Sequence, residues 1–189
     1  MLLVVGRFSA AEVAPLAEAL APKVMGNPSA PVTLTEFASL TCPHCANFHQ
    51  NYLPAIKKDF IDTGKVKLVF NDFPLDGLAL AGSMLARCGG DNRYFGFIEV
   101  LFRSQQTWSR AANPREALKQ VSRLGGLSDA EFETCLANQE LLTGIRKNAE
   151  DATKAHGITS TPSFMINGKL LDMKSFDEMH GLLQKAAGS

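Results

Sequence analysis

Val32-Thr33-Leu34-Thr35-Glu36-Phe37-Ala38 runs directly into Ser39-Leu40-Thr41-Cys42-Pro43-His44-Cys45. The first of these stretches alternates and is rich in β-branched side chains, the pattern of a strand. Beyond Cys45, Phe48, Tyr52, Ala55, Ile56 and Phe60 recur at helical spacing. Pro54 sits inside that pattern and predicts a kink, because proline removes a backbone donor. Asp62-Thr63-Gly64 ends the helix, and Val66-Lys67-Leu68-Val69-Phe70 reads as a second strand. Strand, helix, strand of this hydrophobic content predicts a βαβ unit with parallel strands.

Upstream, Ala21–Pro31 is turn-rich and reads as a linker into the first core strand. Downstream, no convincing strand occurs from Leu75 to about Gly157. Leu78, Ala81, Leu85 and Cys88 mark one helix, stopped at Gly89-Gly90; Tyr94, Phe97, Ile98, Leu101 and Phe102 mark a second. Asn113-Pro114-Arg115-Glu116 is a capped helix start with proline in the first turn. Ser128-Asp129-Ala130-Glu131 is a capping box for a short helix carrying Phe132 and Cys135. Leu141, Leu142, Ile145, Ala149 and Ala152 continue as a longer helix ending near His156-Gly157. Ser163–Ile166 and Lys169–Asp172 then flank Asn167-Gly168, a strong hairpin signal. A last helix runs from about Ser175. The chain thus divides into an N-terminal arm or leader remnant (1–23), a βαβ part (24–74), a helical block (75–140) and an αββα part (141–189).

Composition narrows the function classes. The chain has 189 residues, 46% of them apolar and 20% charged, close to the average of globular proteins. Lys+Arg and Asp+Glu are both 19, so there is no basic excess to suggest a nucleic-acid partner or a polybasic membrane anchor. No apolar run approaches the ~18 residues needed to cross a bilayer. Met1–Ala11 begins apolar but is interrupted at Gly6, short of the apolar core of about 7–15 residues that an export signal carries. It reads as a trimmed or mis-started leader, or as a short ordered arm.

Cys42-Pro43-His44-Cys45 carries the chemistry. A spacing of three puts both sulfurs on one side of a first helical turn, close enough for a disulfide that opens and closes. A helix N-terminus offers unpaired N–H groups and partial positive charge, and both favour a thiolate, above all on Cys42. Thiol pKa values in such settings span ~3.5–7.5. A protonated or hydrogen-bonding His44 would add to the effect. A stabilised thiolate stabilises the reduced form and makes the disulfide the stronger oxidant. The same spacing is half of a zinc site. Zinc would need further ligands from Cys88, Cys135, His44, His49, His156 or His180, and none of these forms a second close pair. No metal or organic cofactor is therefore expected. A purely structural Cys42–Cys45 bridge is the other alternative.

Thr161-Pro162 immediately precedes the hairpin. Proline there is a candidate cis peptide or an ordinary strand-entry residue. A cis bond would turn backbone groups outward, where they could hold an extended peptide. Glu36 shares its strand face with Leu34 and Ala38 and is expected to be buried. His49 is expected on the helix surface, and Trp108 in partly buried packing or in partner contact.

The Cys-Pro-His-Cys tetrapeptide, the late Thr161-Pro162 and the helical block between them resemble the DsbA family of thiol:disulfide oxidoreductases over roughly Val24 to Ala187. The resemblance implies a thioredoxin-like fold with an inserted α-helical domain. It implies a monomeric periplasmic enzyme that donates a disulfide to reduced, newly exported proteins and is reoxidised by a quinone-linked membrane partner of the DsbB type. Cys42 matches the attacking cysteine, Cys45 the buried resolving cysteine, and Pro43 and His44 the tuning dipeptide. Thr161 and Pro162 match the cis-proline loop that binds substrate backbone. Glu36 matches a buried acid that relays a proton near the resolving thiol. Some relatives carry a second disulfide in the helical domain, which would here join Cys88 to Cys135. Its chain-entropy contribution would be ~4 kcal/mol. Two buried free cysteines are the alternative. A reductase or isomerase of the same fold, and a non-catalytic or metal-binding module, are the competing functions.

Overall fold

The computed structural model describes residues 13–188. The leader or arm reading of Met1–Ala11 lies outside them. A five-stranded sheet organises the chain in the order β1-β3-β2-β4-β5. Its centre is β2 (Val32–Ala38), parallel to β3 (Val66–Asp72) as the βαβ reading requires. β3 buries alternate residues, and β2 does so until Glu36-Phe37-Ala38, where both faces are covered. On the other side β2 pairs antiparallel with β4 (Ser163–Ile166), placing Glu36 opposite Phe164. Asn167 and Gly168 both have positive φ, 49° and 80°, and turn β4 back into β5 (Lys169–Leu170). The second hairpin strand is shorter than its sequence suggests, because the chain leaves the sheet after Leu170.

Two elements precede the βαβ unit that local sequence did not announce. Helix α1 (Leu16–Leu20) packs beside the helical block, and β1 (Lys23–Met25) adds an antiparallel edge strand to β3. Part of the stretch expected to be linker is therefore sheet. Lys23 is buried in it, with its ammonium 2.5 Å from Asp91 and 2.9 Å from the Glu18 carbonyl. Below β1, Arg87 donates to Asp72 at 2.6 Å and to the Ala19 carbonyl at 2.5 Å. Tyr94 donates to the same Asp72 oxygen at 3.1 Å. Arg87 and Asp72 are both buried, and the pair ties α1 and β3 to the helices.

From Pro43 to Ile61 the chain stays helical in four stretches: α2 (Pro43–Asn47), a widened π-type turn (Phe48–Tyr52), α3 (Leu53–Ile56) and a second widened turn (Lys57–Ile61). Pro54 does not end the helix. It cannot donate to the carbonyl one turn back, and the turn ahead of it is widened.

The helices α4 (Gly77–Cys88), α5 (Asp91–Arg103), α6 (Gln105–Ser109), α7 (Pro114–Leu124), α8 (Asp129–Ala137) and α9 (Gln139–His156) fill the interval between β3 and β4. Asn113 caps α7, and the Ser128–Glu131 capping box starts α8. Gly157, at φ 68°, stops α9 in the left-handed region that glycine favours. Cys88 and Cys135 form a disulfide between α4 and α8, with 6.1 Å between their Cα atoms. Trp108 is fully buried and donates to the Leu101 carbonyl, so it is a core residue and not a partner contact. Helix α10 (Asp177–Ala186) packs Met179 and Leu183 against the sheet.

Candidate active site

Strand β2 delivers the chain to the N-terminus of α2. Cys42 is the cap residue, in extended conformation, and Pro43 takes the first helical position. This places the Cys45 N–H 3.4 Å from the Cys42 sulfur. Both cysteines are free and buried, Cys42 at 6% exposure and Cys45 at 0%. Pro43 and His44 are exposed. The Thr161–Pro162 peptide is cis, and Cys42 donates to the Thr161 carbonyl at 3.3 Å. Residues that lie 119 positions apart in sequence thus meet at one sulfur.

The two thiols are driven in opposite directions. Cys42 is held down at about 5. The Cys45 thiol beside it does most; Thr161 and the backbone N–H groups of Cys45 and His44 add to it against the opposing effect of burial. Cys45 is pushed far above the usual thiol range by burial first, then by Cys42 and by the negative charge of Glu36. The Thr161 hydroxyl is itself buried with no partner oxygen or nitrogen. His44 contributes through its backbone N–H. Among the described residues its imidazole makes no hydrogen bond to either sulfur; it lines a groove instead.

That groove, about 440 Å³, runs past His44, Tyr52, Pro162, Phe164, Met173 and Phe176. On the other flank, Thr41 donates to Asp76 at 2.6 Å, and Asp76 caps α4 through the Ala79 N–H. Behind Cys42, Gln105 of α6 donates to the carbonyls of Leu40 and Cys42. Sequence reasoning did not single out Asp76 or Gln105, since neither lies near the cysteines in the chain.

Glu36 is fully buried, as its strand face predicts. Its partner is a surprise. His49, expected on the helix surface, has a side chain only 6% exposed, and its Nε2 lies 3.1 and 3.0 Å from the two Glu36 oxygens. His49 follows Cys45 by one turn and so shares its inward face, a signal the sequence did carry.

Comparison with known proteins agrees with this geometry. The thioredoxin family profile matches residues 18–185. The crystal structure of Wolbachia pipientis alpha-DsbA1 superposes with a TM-score of 0.78 at 33% identity, covering 88% of this chain and 91% of that one. The chain belongs to the DsbA family. A Rickettsia typhi protein that carries the name protein-disulfide oxidoreductase is 35% identical over 164 residues. The match spans 86% of this chain but only 61% of that relative, so the chain covers about three-fifths of its length. Disulfide bond formation protein D of Bacillus subtilis is 27% identical over 86% of this chain and 75% of its own. The thioredoxin-like α/β fold with a helical block between β3 and β4 is that of the DsbA family. No described helix is long and apolar enough to cross a membrane.

Proposed function

We propose that this protein is a periplasmic thiol:disulfide oxidase that donates the Cys42–Cys45 disulfide to reduced exported proteins. The opposed tuning of the two thiols carries this reading: a Cys42 held at about 5 is a good leaving group, and its reduced state is stabilised. A substrate thiolate attacks the Cys42 sulfur of the disulfide. The Cys42–Cys45 bond breaks, its electron pair leaves on Cys45, and Cys45 takes up a proton. A second substrate thiolate attacks the substrate sulfur of the mixed disulfide. Cys42 leaves as a thiolate, and the substrate carries away its new disulfide.

The other assignments follow from the same site. The outward backbone beside Pro162 would pair with an extended substrate segment, and the groove past Tyr52 and Phe176 would take its side chains. Pro43 and His44 tune the thiols, Glu36 relays a proton at Cys45, and Cys88–Cys135 braces the helical domain. Residues 75–140 act as that inserted domain, between thioredoxin-like parts at 24–74 and 141–189. Reoxidation would come from a quinone-linked membrane protein of the DsbB type, with the protein working as a monomer and without a resident cofactor.

Trapping tests the division of labour. Cys42→Ala abolishes turnover. Cys45→Ala, expressed in an oxidising compartment, accumulates mixed disulfides between Cys42 and substrate proteins, visible as thiol-sensitive bands on non-reducing gels. Absence of such adducts would overturn the assignment.

A further inference from the structure

Glu36 has no exposed surface, and among the described residues its carboxylate hydrogen-bonds one side chain, His49. A sealed carboxylate can exchange a proton with water only through a group it touches. His49 is that group, and it also reaches open space. It lines a cavity of about 630 Å³ between the helical run after Cys45 and α5, together with Met25, Lys57, Glu99, Phe102 and Arg103. This cavity is distinct from the substrate-side groove; the two share none of their lining residues. Three rings fix the imidazole: Phe102 at 4.3 Å, Phe70 at 5.7 Å and Phe48 at 5.8 Å between centroids. The widened turn at Phe48–Tyr52 carries His49 itself.

We infer that His49 is the relay through which the Cys45–Glu36 pair exchanges its proton with solvent, using the cavity behind the active site rather than the groove that substrate would cover. The inference rests on the proposed redox cycling of Cys42 and Cys45 and deepens it. His49 touches no reacting atom and acts through Glu36.

When the reduced protein is reoxidised, the Cys42 thiolate attacks a disulfide of the oxidant, which releases one of its sulfurs as a thiolate. Cys45 must then lose a proton. It passes to Glu36, Glu36 hands one on to His49, and His49 releases one to water in the cavity. The Cys45 thiolate attacks the Cys42 sulfur, the Cys42–Cys45 bond forms, and the bond from Cys42 to the oxidant breaks with its electron pair on the oxidant sulfur. In the donating direction the proton travels inward to the leaving Cys45. A route behind the site lets it move while a bound protein covers the front.

The groups facing the imidazole are Glu36 from β2, Phe70 from β3, Phe102 from α5 and Phe48 from its own helix. Lys57, Glu99 and Arg103 share the cavity wall. A relay takes up and gives off a proton in each cycle, so the step it serves should depend on pH.

The test is single-turnover oxidation of the reduced full chain by glutathione disulfide, quenched with acid at intervals. It separates formation of the Cys42–glutathione adduct from closure of the Cys42–Cys45 disulfide. In His49→Gln, which keeps a hydrogen-bond donor toward Glu36, closure at pH 7 should slow at least about tenfold. Its pH profile should differ from that of the wild-type protein. In His49→Ala, added imidazole should restore closure through the enlarged cavity. Closure at the wild-type rate in His49→Gln, or slowed closure with the pH profile intact and no imidazole rescue, would overturn the relay. Failure of the wild-type protein to form any Cys42 adduct would instead strike the proposed function, so the two failures are distinguishable.

Discussion

Gln105 Nε2 lies 2.9 Å from the carbonyl oxygen of Cys42 and 2.8 Å from that of Leu40. The amide is buried, and it belongs to a helix 60 residues beyond the active-site cysteines in sequence (Cys45 to Gln105). The helical block therefore holds the backbone on which the reactive thiol sits. Gln105→Leu removes both bonds. The Cys42 carbonyl keeps the Ala46 N–H at 3.2 Å, but the Leu40 carbonyl loses this partner. An unpaired buried carbonyl costs about 1–3 kcal/mol. Urea denaturation should show a loss of that size, with the Cys42 titration moved upward as its loop loosens.

The thiol titration itself gives a signed pH dependence. Cys42 at about 5 is mostly thiolate at pH 7. A depressed folded-state pKa contributes stability that is complete above the unfolded thiol's pKa, about 8.5, and is lost as pH falls through about 5. Cys45 works the other way: its raised pKa is neutral to stability at low pH and becomes a cost above about 8.5. The stability of the reduced protein relative to the oxidised one should thus rise from pH 5 to about 8.5 and gain nothing beyond. Denaturant midpoints of both redox forms across that range check this. A pH-independent difference would contradict it.

The Cys88–Cys135 bridge closes a separation of 47 residues between α4 and α8. Replacing both cysteines by alanine should cost about 2–5 kcal/mol in unfolding free energy. Because the bridge joins α4 to α8 and not the active-site loop, exchange at Cys42 should survive in the folded variant, as measured by alkylation after incubation in glutathione buffers.

Asp72 and Arg87 give the largest single-residue effect expected outside the site. Burial works against the Arg87 charge, and Asp72 more than restores it, so the guanidinium is held above its ordinary range. Arg87→Met leaves Asp72 buried without its cation beside Tyr94, whose own ionisation burial and Asp72 already oppose. Breaking such a pair costs about 3–5 kcal/mol. Thermal melting should report it, and Asp72→Asn should behave alike.

Much of this molecule was legible in the sequence, and the reasons differ by element. The alternation of Val32–Ala38 and the helical spacing after Cys45 are periodic signals, so the parallel βαβ unit could be read directly. The Asn113 cap, the Ser128–Glu131 box and the Gly157 stop are local chemistry and sit where they were expected. Strand β1 was hidden because three residues, one of them a buried lysine, carry no periodicity; Lys23 is tolerated through Asp91, the Glu18 carbonyl and the Tyr94 ring, all contributed by other segments. His49 was misread for a different reason. A polar residue was assigned to the surface by type, although its spacing from Cys45 put it on the buried face, where Glu36 satisfies it. Gln105 and Asp76 meet the active-site loop only through tertiary structure, and no local pattern marks them.

The most direct test of the oxidase account is the redox equilibrium of Cys42–Cys45 in glutathione buffers, read by alkylation and mass spectrometry. A thiolate as stabilised as that of Cys42 predicts a potential well above the ~−180 mV of protein disulfide isomerase. A potential near the ~−270 mV of thioredoxin would contradict the account and make the protein a reductase.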